Sequence, residues 1–148
     1  MVRLLSMALT VALDELHTEL ARRGHPKLRP VHGYALNAVH NGHDTASALA
    51  PILSMTKQGA AKVVQLLLDE GYLVEGPAAV GDARRKPLAL TSRGREVMQV
   101  SERVQDAIEA EWAGLAGERS IATTRRVLVT AVTGDGHRPS PPPVRHGW

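Results

Sequence analysis

Residues 56–94 set out an order that few folds accommodate: a capped helix, two four-residue strands parted by eleven residues, and a second capped helix. Thr56 is a good N-cap, and "KQGAAKVVQLLLDEG" after it places Ala60, Val63, Val64 and Leu67 on one face before Gly71 closes the helix. "YLVE" and "PLAL" read as strands around the loop "GPAAVGDARRK". Pro87 confines the second strand to an edge, because it cannot donate to a ladder. Thr91 then caps a long helix in which Val97, Val100, Val104, Ala107, Ile108 and Trp112 recur every three or four residues, with Gly114 and Gly117 interrupting its end. The densest positive charge of the chain, Arg84, Arg85 and Lys86, falls at the tip of the hairpin.

The upstream segment is helical in pattern. Leu5, Leu9, Leu13, Leu16 and Leu20 are spaced for one helix face, and Gly24 and Pro26 end that helix. Pro30 suits the first turn of a second helix, with Val31, Ala35, Ala38 and Val39 inward and Asn41-Gly42 as its stop. Asp44 or Thr45 can cap a third, short helix through Leu49 and Ile52, which Pro51 shortens or bends. Residues 120–133 fit two readings: β-branched content favours a strand, while Ile121, Thr124, Leu128 and Ala131 share a helix face. The helix is preferred. The expected fold class is mainly α with a small β-hairpin (α+β). The tail "GDGHRPSPPPVRHGW" is too rich in Pro and Gly to bury a core and is expected to be disordered.

Composition narrows the function classes. With no cysteine, disulfides, thiolate catalysis, thiol redox sensing and thiolate metal sites all fall away. No apolar run approaches the roughly 18 residues that span a bilayer, so no membrane partner is expected. The start "MVRLLSMALTVALDELHTEL" carries a cation and a short apolar stretch, but Asp14, Glu15 and Glu19 follow and no small-residue cleavage site is evident. It reads as an amphipathic helix of a cytoplasmic protein. Net charge is only +3, so a nucleic-acid role must rest on local clustering. Aromatic residues are 3% of the chain, too few for single-strand stacking surfaces.

Clustering is present. A short helix, a tight turn and a second helix make a helix-turn-helix, whose second helix enters the major groove. On that second helix Lys57, Gln58, Lys62 and Gln65 form a stripe opposite the apolar face, and Gly59 and Ala61 allow close approach to bases. Gln pairs bidentately with adenine, and Lys reaches guanine or phosphate. An ordinary solvated helix face has the same composition. The basic hairpin that follows tips the balance towards double-stranded DNA, since it has the position of a wing whose tip enters the minor groove.

Residues 31–94 resemble the winged-helix core of the MarR family of transcriptional regulators. "TASALAPIL" at 45–53 is similar to the helix that leads into the family's recognition helix, and "DEGYLV" at 69–74 to that helix's close. "DARRKPLALTSRG" at 82–94 fits the family's wing position by position. The resemblance implies that Arg84 is the wing-tip arginine and that Asp82 braces it; Arg85 and Lys86 beside it are expected to meet phosphate. It makes Thr56 the cap of the recognition helix. Ser54 stands where the family usually has Gly, and Pro51 and Pro87 interrupt the third helix and the wing.

The resemblance further implies a homodimer built from the first, fifth and sixth helices on a pseudo-palindromic operator, with repression the expected outcome. The leucine ladder and long fifth helix favour a dimer, although one internal core could also use them. It also implies a small phenolic or other aromatic effector between the helical lobes, for which His17, His32, Tyr34 and Trp112 are the candidates. The expected division is a dimerisation helix at 1–24, a winged helix-turn-helix at 28–92, dimerisation helices at 93–133 and the tail at 134–148. Seven histidines raise a metal site, but His40 and His43 straddle the Asn41-Gly42 break and no ligand spacing is present. No cofactor, metal or catalytic residue is expected, since phosphate loop, nucleophile elbow and acid/base pair are all missing. The competing reading is a winged helix used as a protein-interaction module.

Overall fold

The structure, a computed structural model, describes residues 1–77 and 86–134. Asp82, Arg84 and Arg85 of the hairpin tip, and the tail from residue 135, lie outside the described residues. Among the described residues six helices and one hairpin follow in the order α1 (Val2–Arg22), α2 (Pro30–His40), α3 (Ala46–Ile52), α4 (Lys57–Asp69), β1 (Leu73–Glu75), β2 (Leu88–Leu90), α5 (Ser92–Ala116) and α6 (Glu118–Thr133). Among the described residues no helix is long and apolar enough to cross a membrane.

Three threonines start helices in the same way. Thr45, Thr56 and Thr91 each accept a hydrogen bond on Oγ1 from the backbone N–H three residues on, at Ala48, Gly59 and Gly94. Of the two expected caps for α3, Thr45 is the one used. Four helices also end alike. After α1, α2, α3 and α4 the third residue past the helix donates its N–H back to the third-last helical carbonyl: His25 to Leu20, His43 to Ala38, Met55 to Ala50 and Tyr72 to Leu67. The turn needs one residue with positive φ. Gly24, Gly42 and Gly71 supply it after α1, α2 and α4, whereas α3 uses Ser54 at φ 51°.

Ser54 is thus a side-chain-bearing residue in a left-handed conformation, in the turn of the helix-turn-helix. Ser54→Gly is expected to stabilise the fold by about 0.5–1 kcal/mol, the relief of left-handed strain less the added freedom of the unfolded chain. The measurement is the urea midpoint at unchanged slope, and a lower midpoint would mean that Ser54 is unstrained.

The core lies where α2 meets α3, α4, α5 and β2, with α3 packed on α4 and α1 on α5. Leu36, Leu49, Leu53, Leu67, Tyr72, Val97 and Val100 are its most enclosed large side chains. β1 and β2 pair antiparallel with Leu73 opposite Leu90, Val74 opposite Ala89 and Glu75 opposite Leu88. The second edge of β2 is not bare, because Leu88 donates its N–H to the Asp44 carbonyl at 2.8 Å, tying the hairpin to the start of α3.

Two expectations need correction. Tyr72 is not a strand residue, because its N–H closes the α4 cap and its side chain enters the core. Gly114 does not break α5, which runs on to Ala116; Gly117, at φ 85°, is the stop. The ladder of α1 is divided, with Leu20 buried and Leu5 and Leu9 exposed, so it does not serve one internal core. Residues 118–133 form a helix that, among the described residues, packs mainly on α5 and has no buried side chain.

Candidate nucleic-acid interface

α4 turns about 100° per residue, which places Lys57, Gln58, Ala61, Lys62 and Gln65 within one arc of roughly 140°. All five are exposed, while Ala60, Val63, Val64 and Leu67 anchor the opposite side in the core. The stripe is therefore rigidly presented. Thr56 fixes its start through the Gly59 N–H at 3.1 Å. Gln65 donates through Nε2 to Asp69 Oδ1 at 2.8 Å, which directs its carbonyl oxygen away from the acid. Gly59 has room for a Cβ only at 3.2 Å from the Met55 methyl carbon, so a small residue suits this turn.

The base of the hairpin stands beside α4. Lys86 Nζ lies 2.9 Å from Glu75 Oε2, both exposed, and Gly76 donates to the Pro87 carbonyl at 2.7 Å. An exposed pair of this kind is worth about 0–1 kcal/mol, so Lys86 is readily drawn to a phosphate. The described residues thus bring Thr56, Lys57, Gln58, Lys62, Gln65 and Lys86 to the α4 and hairpin side of the molecule.

Gly94 holds the hairpin to α5. A Cβ there would lie 2.3 Å from the Tyr72 carbonyl oxygen, which already accepts from Thr91 N–H and Thr91 Oγ1, both at 3.1 Å. This is the physical reason for Gly three residues after Thr91. The sequence shows the glycine; it does not show what the glycine touches.

A cavity of about 910 Å³ opens between α1, α2 and α5, lined among others by Leu13, Leu16, His17, Tyr34, Met98 and Arg125. Of the candidate ligand residues, His17 and Tyr34 line it, whereas His32 and Trp112 do not. His17 Nδ1 lies 2.6 Å from the Leu13 carbonyl, so the neutral ring donates there and keeps Nε2 as an acceptor. Arg125 is paired with Glu109 across α5 and α6.

His32 has a structural task instead. Its Nδ1 accepts from the Arg29 N–H at 2.9 Å and so caps α2. Burial, then the charges of Arg29 and His17, holds its imidazole below the ordinary value. His25 is lowered too, by burial first and then by Arg93, against an opposing pull from Glu96. Both rings are neutral in the fold and bind a proton more readily in the unfolded chain. Their stabilisation is therefore complete above about pH 6.5 and is lost as pH falls from there through the lower folded values. The urea midpoint is expected to drop between pH 7 and pH 5, and a midpoint that rises over that range would contradict the sign.

Comparison with solved structures finds this architecture in proteins of one family. The chain is similar to the MarR family protein Rv2887 of Mycobacterium tuberculosis in complex with salicylic acid, with 27% identity, a TM-score of 0.64, and 86% of this chain and 93% of that chain covered. It is also similar to wild-type apo MarR from E. coli, at 18% identity and TM-score 0.67 over 88% and 95% of the two chains. A mutant of S. aureus MepR bound to an oligodeoxyribonucleotide matches at 16% identity and TM-score 0.63 over 88% and 94%. Neither a protein-family profile nor a curated protein matches this chain.

Proposed function

We propose that this chain, a transcription regulator of the MarR family and not an enzyme, binds duplex DNA as a homodimer, with α4 in the major groove and the hairpin tip in the minor groove. The observation that carries the reading is the exposed Lys57, Gln58, Lys62 and Gln65 stripe on a helix whose other side is locked in the core. The oligonucleotide bound to MepR supports it. In this reading Gln58, Lys62 and Gln65 meet base edges, Arg84 enters the narrow groove, and Arg85 and Lys86 neutralise phosphates.

The dimer is supported by what one protomer leaves uncovered. Leu4, Met7 and Val11 of α1 lie about a turn apart on one exposed stripe, and Val127, Val129 and Val132 of α6 are exposed as well. A second copy would cover both, pairing two α4 helices with a pseudo-palindromic site. Repression is the mode we assign. The salicylic acid complex of the similar M. tuberculosis protein supports an aromatic effector. Here it would take the cavity beside His17 and Tyr34, where His17 Nε2 accepts from a phenolic hydroxyl and binding shifts the lobes that hold α4.

Fluorescence anisotropy against the chain's own upstream DNA and a random duplex, at two salt concentrations, tests the reading. Lys62→Ala and Arg84→Ala are each expected to weaken binding by about 1–3 kcal/mol, Arg84→Ala most at A·T-rich flanks. Equal binding by both variants and the parent would sink the docking geometry. No binding by the parent even at low salt would favour the protein-interaction module instead.

A further inference from the structure

The turn between α1 and α2 holds a buried imidazole that DNA contact does not use. His25 is 2% exposed, and its Nδ1 lies 3.0 Å from the Tyr72 hydroxyl. Arg93 reaches the same hydroxyl from α5 with Nη2 at 3.3 Å, donates to the Gly24 carbonyl at 3.0 Å, and holds its guanidinium 4.8 Å from the Tyr72 ring centre. A guanidinium only donates, so the Tyr72 oxygen accepts from Arg93 and directs its own proton to His25 Nδ1. Neutral His25 is therefore the Nε2–H tautomer. Among the described residues that buried N–H has no hydrogen-bond partner, and Glu96 Oε2 stands 4.0 Å from it. Three segments meet here: the α1–α2 turn, the junction of α4 with the hairpin, and the first turn of α5. On the surface, Lys27 and Glu70 span the first two at 2.6 Å.

We propose that His25, Tyr72, Arg93 and Glu96 form a proton-operated latch that sets how firmly α4 and the hairpin are held to the rest of the molecule. A proton on Nδ1 turns that atom into a donor facing the hydroxyl hydrogen of Tyr72. The hydroxyl must then turn round, and its hydrogen loses its acceptor at a residue 1% exposed. The new imidazolium also stands beside the Arg93 charge. Glu96, 54% exposed at its side chain, offsets this only in part and draws the ring away from Tyr72. Among the groups facing the ring, the Arg93 charge and the Tyr72 hydroxyl thus hold the neutral form and Glu96 the charged one. The latch is closed at neutral pH and opens on acidification. Opening frees the Tyr72 backbone that Thr91 and Gly94 clasp, and so loosens the DNA-binding side. That last consequence rests on the regulator reading; the latch itself does not.

The test follows the His25 C2 proton by NMR through a pH titration of the full chain, alone and as Tyr72→Phe and Glu96→Gln. Removing the hydroxyl is expected to move the His25 midpoint up and removing the carboxylate to move it down. A midpoint indifferent to both substitutions overturns the latch. Amide exchange at Thr91, corrected for its intrinsic pH dependence, is expected to lose at least tenfold protection between pH 7.5 and 5.5 in the parent and little in His25→Gln. Equal loss in both overturns it as well. DNA affinity at fixed ionic strength should fall with the same profile, flattened in His25→Gln. Absence of DNA binding at every pH would refute the regulator reading while the titration and exchange still decide the latch.

Discussion

Gly94→Ala is expected to destabilise the protein by about 3 kcal/mol, at the upper end of what an inserted methyl group costs in a packed site. Helix propensity alone predicts the reverse, since Ala is favoured over Gly by about 1 kcal/mol inside a helix. Contact decides against propensity here. The added Cβ would sit 2.3 Å from the Tyr72 carbonyl oxygen, a backbone atom held by the Thr91 N–H and by a Thr91 hydroxyl shared with the Gly71 carbonyl. It cannot withdraw without breaking those bonds and shifting the hairpin. Gly114→Ala in the same helix is the control, because among the described residues nothing lies within 4 Å of its Cβ position. That substitution should stabilise by about 0.5–1 kcal/mol. Urea denaturation of the pair gives opposite signs on this account. A neutral or stabilising Gly94→Ala would show that α5 and the hairpin are not in close contact.

The second large effect is on assembly. Met7→Glu with Val11→Glu is expected to yield a folded monomer that binds its operator at least about 100-fold more weakly. Both side chains are mostly exposed in the protomer, at 57% and 65%, so the substitutions remove little from its own core. In a dimer the same positions would bury carboxylates among apolar side chains, which is strongly unfavourable. Loss of the second binding module removes an effective-concentration gain of about 10²–10⁴. Sedimentation gives the mass and circular dichroism the fold. A variant that remains dimeric and folded would place the interface elsewhere than on α1.

What was legible in the sequence was local. Thr56 and Thr91 act within three residues, and the spacing of Val63, Val64 and Leu67 follows from one helical turn, so these could be read directly. The apolar pattern starts the strand one residue too early, at Tyr72, because that residue's role in closing α4 depends on the hydrogen bond to Leu67. Gly114 has the look of a break in the sequence, yet a single exposed glycine costs too little to stop a helix anchored by Val97, Val100 and Ile108. The candidate DNA stripe could be read as a surface; the tie between Asp44 and Leu88 could not, nor the meeting of His25, Tyr72 and Arg93. Those partners are scattered along the chain, and no periodicity links them. Leu4, Met7 and Val11 were hidden behind the more regular leucine ladder of the same helix.

α5 is a single unbroken rod of 25 residues, about 37 Å from end to end at 1.5 Å per residue. Its first turn grips the hairpin side and its far half carries α6. A tilt of about 5° at the gripped end therefore sweeps the other end through roughly 3 Å over such a length. Two such levers joined at their far ends would convert a small local disturbance into a change in the span between two DNA-reading helices. DNA offers its grooves at a fixed repeat of about 34 Å. A gauge that misses this repeat by a few ångströms no longer fits, whatever the chemistry of the side chains it presents.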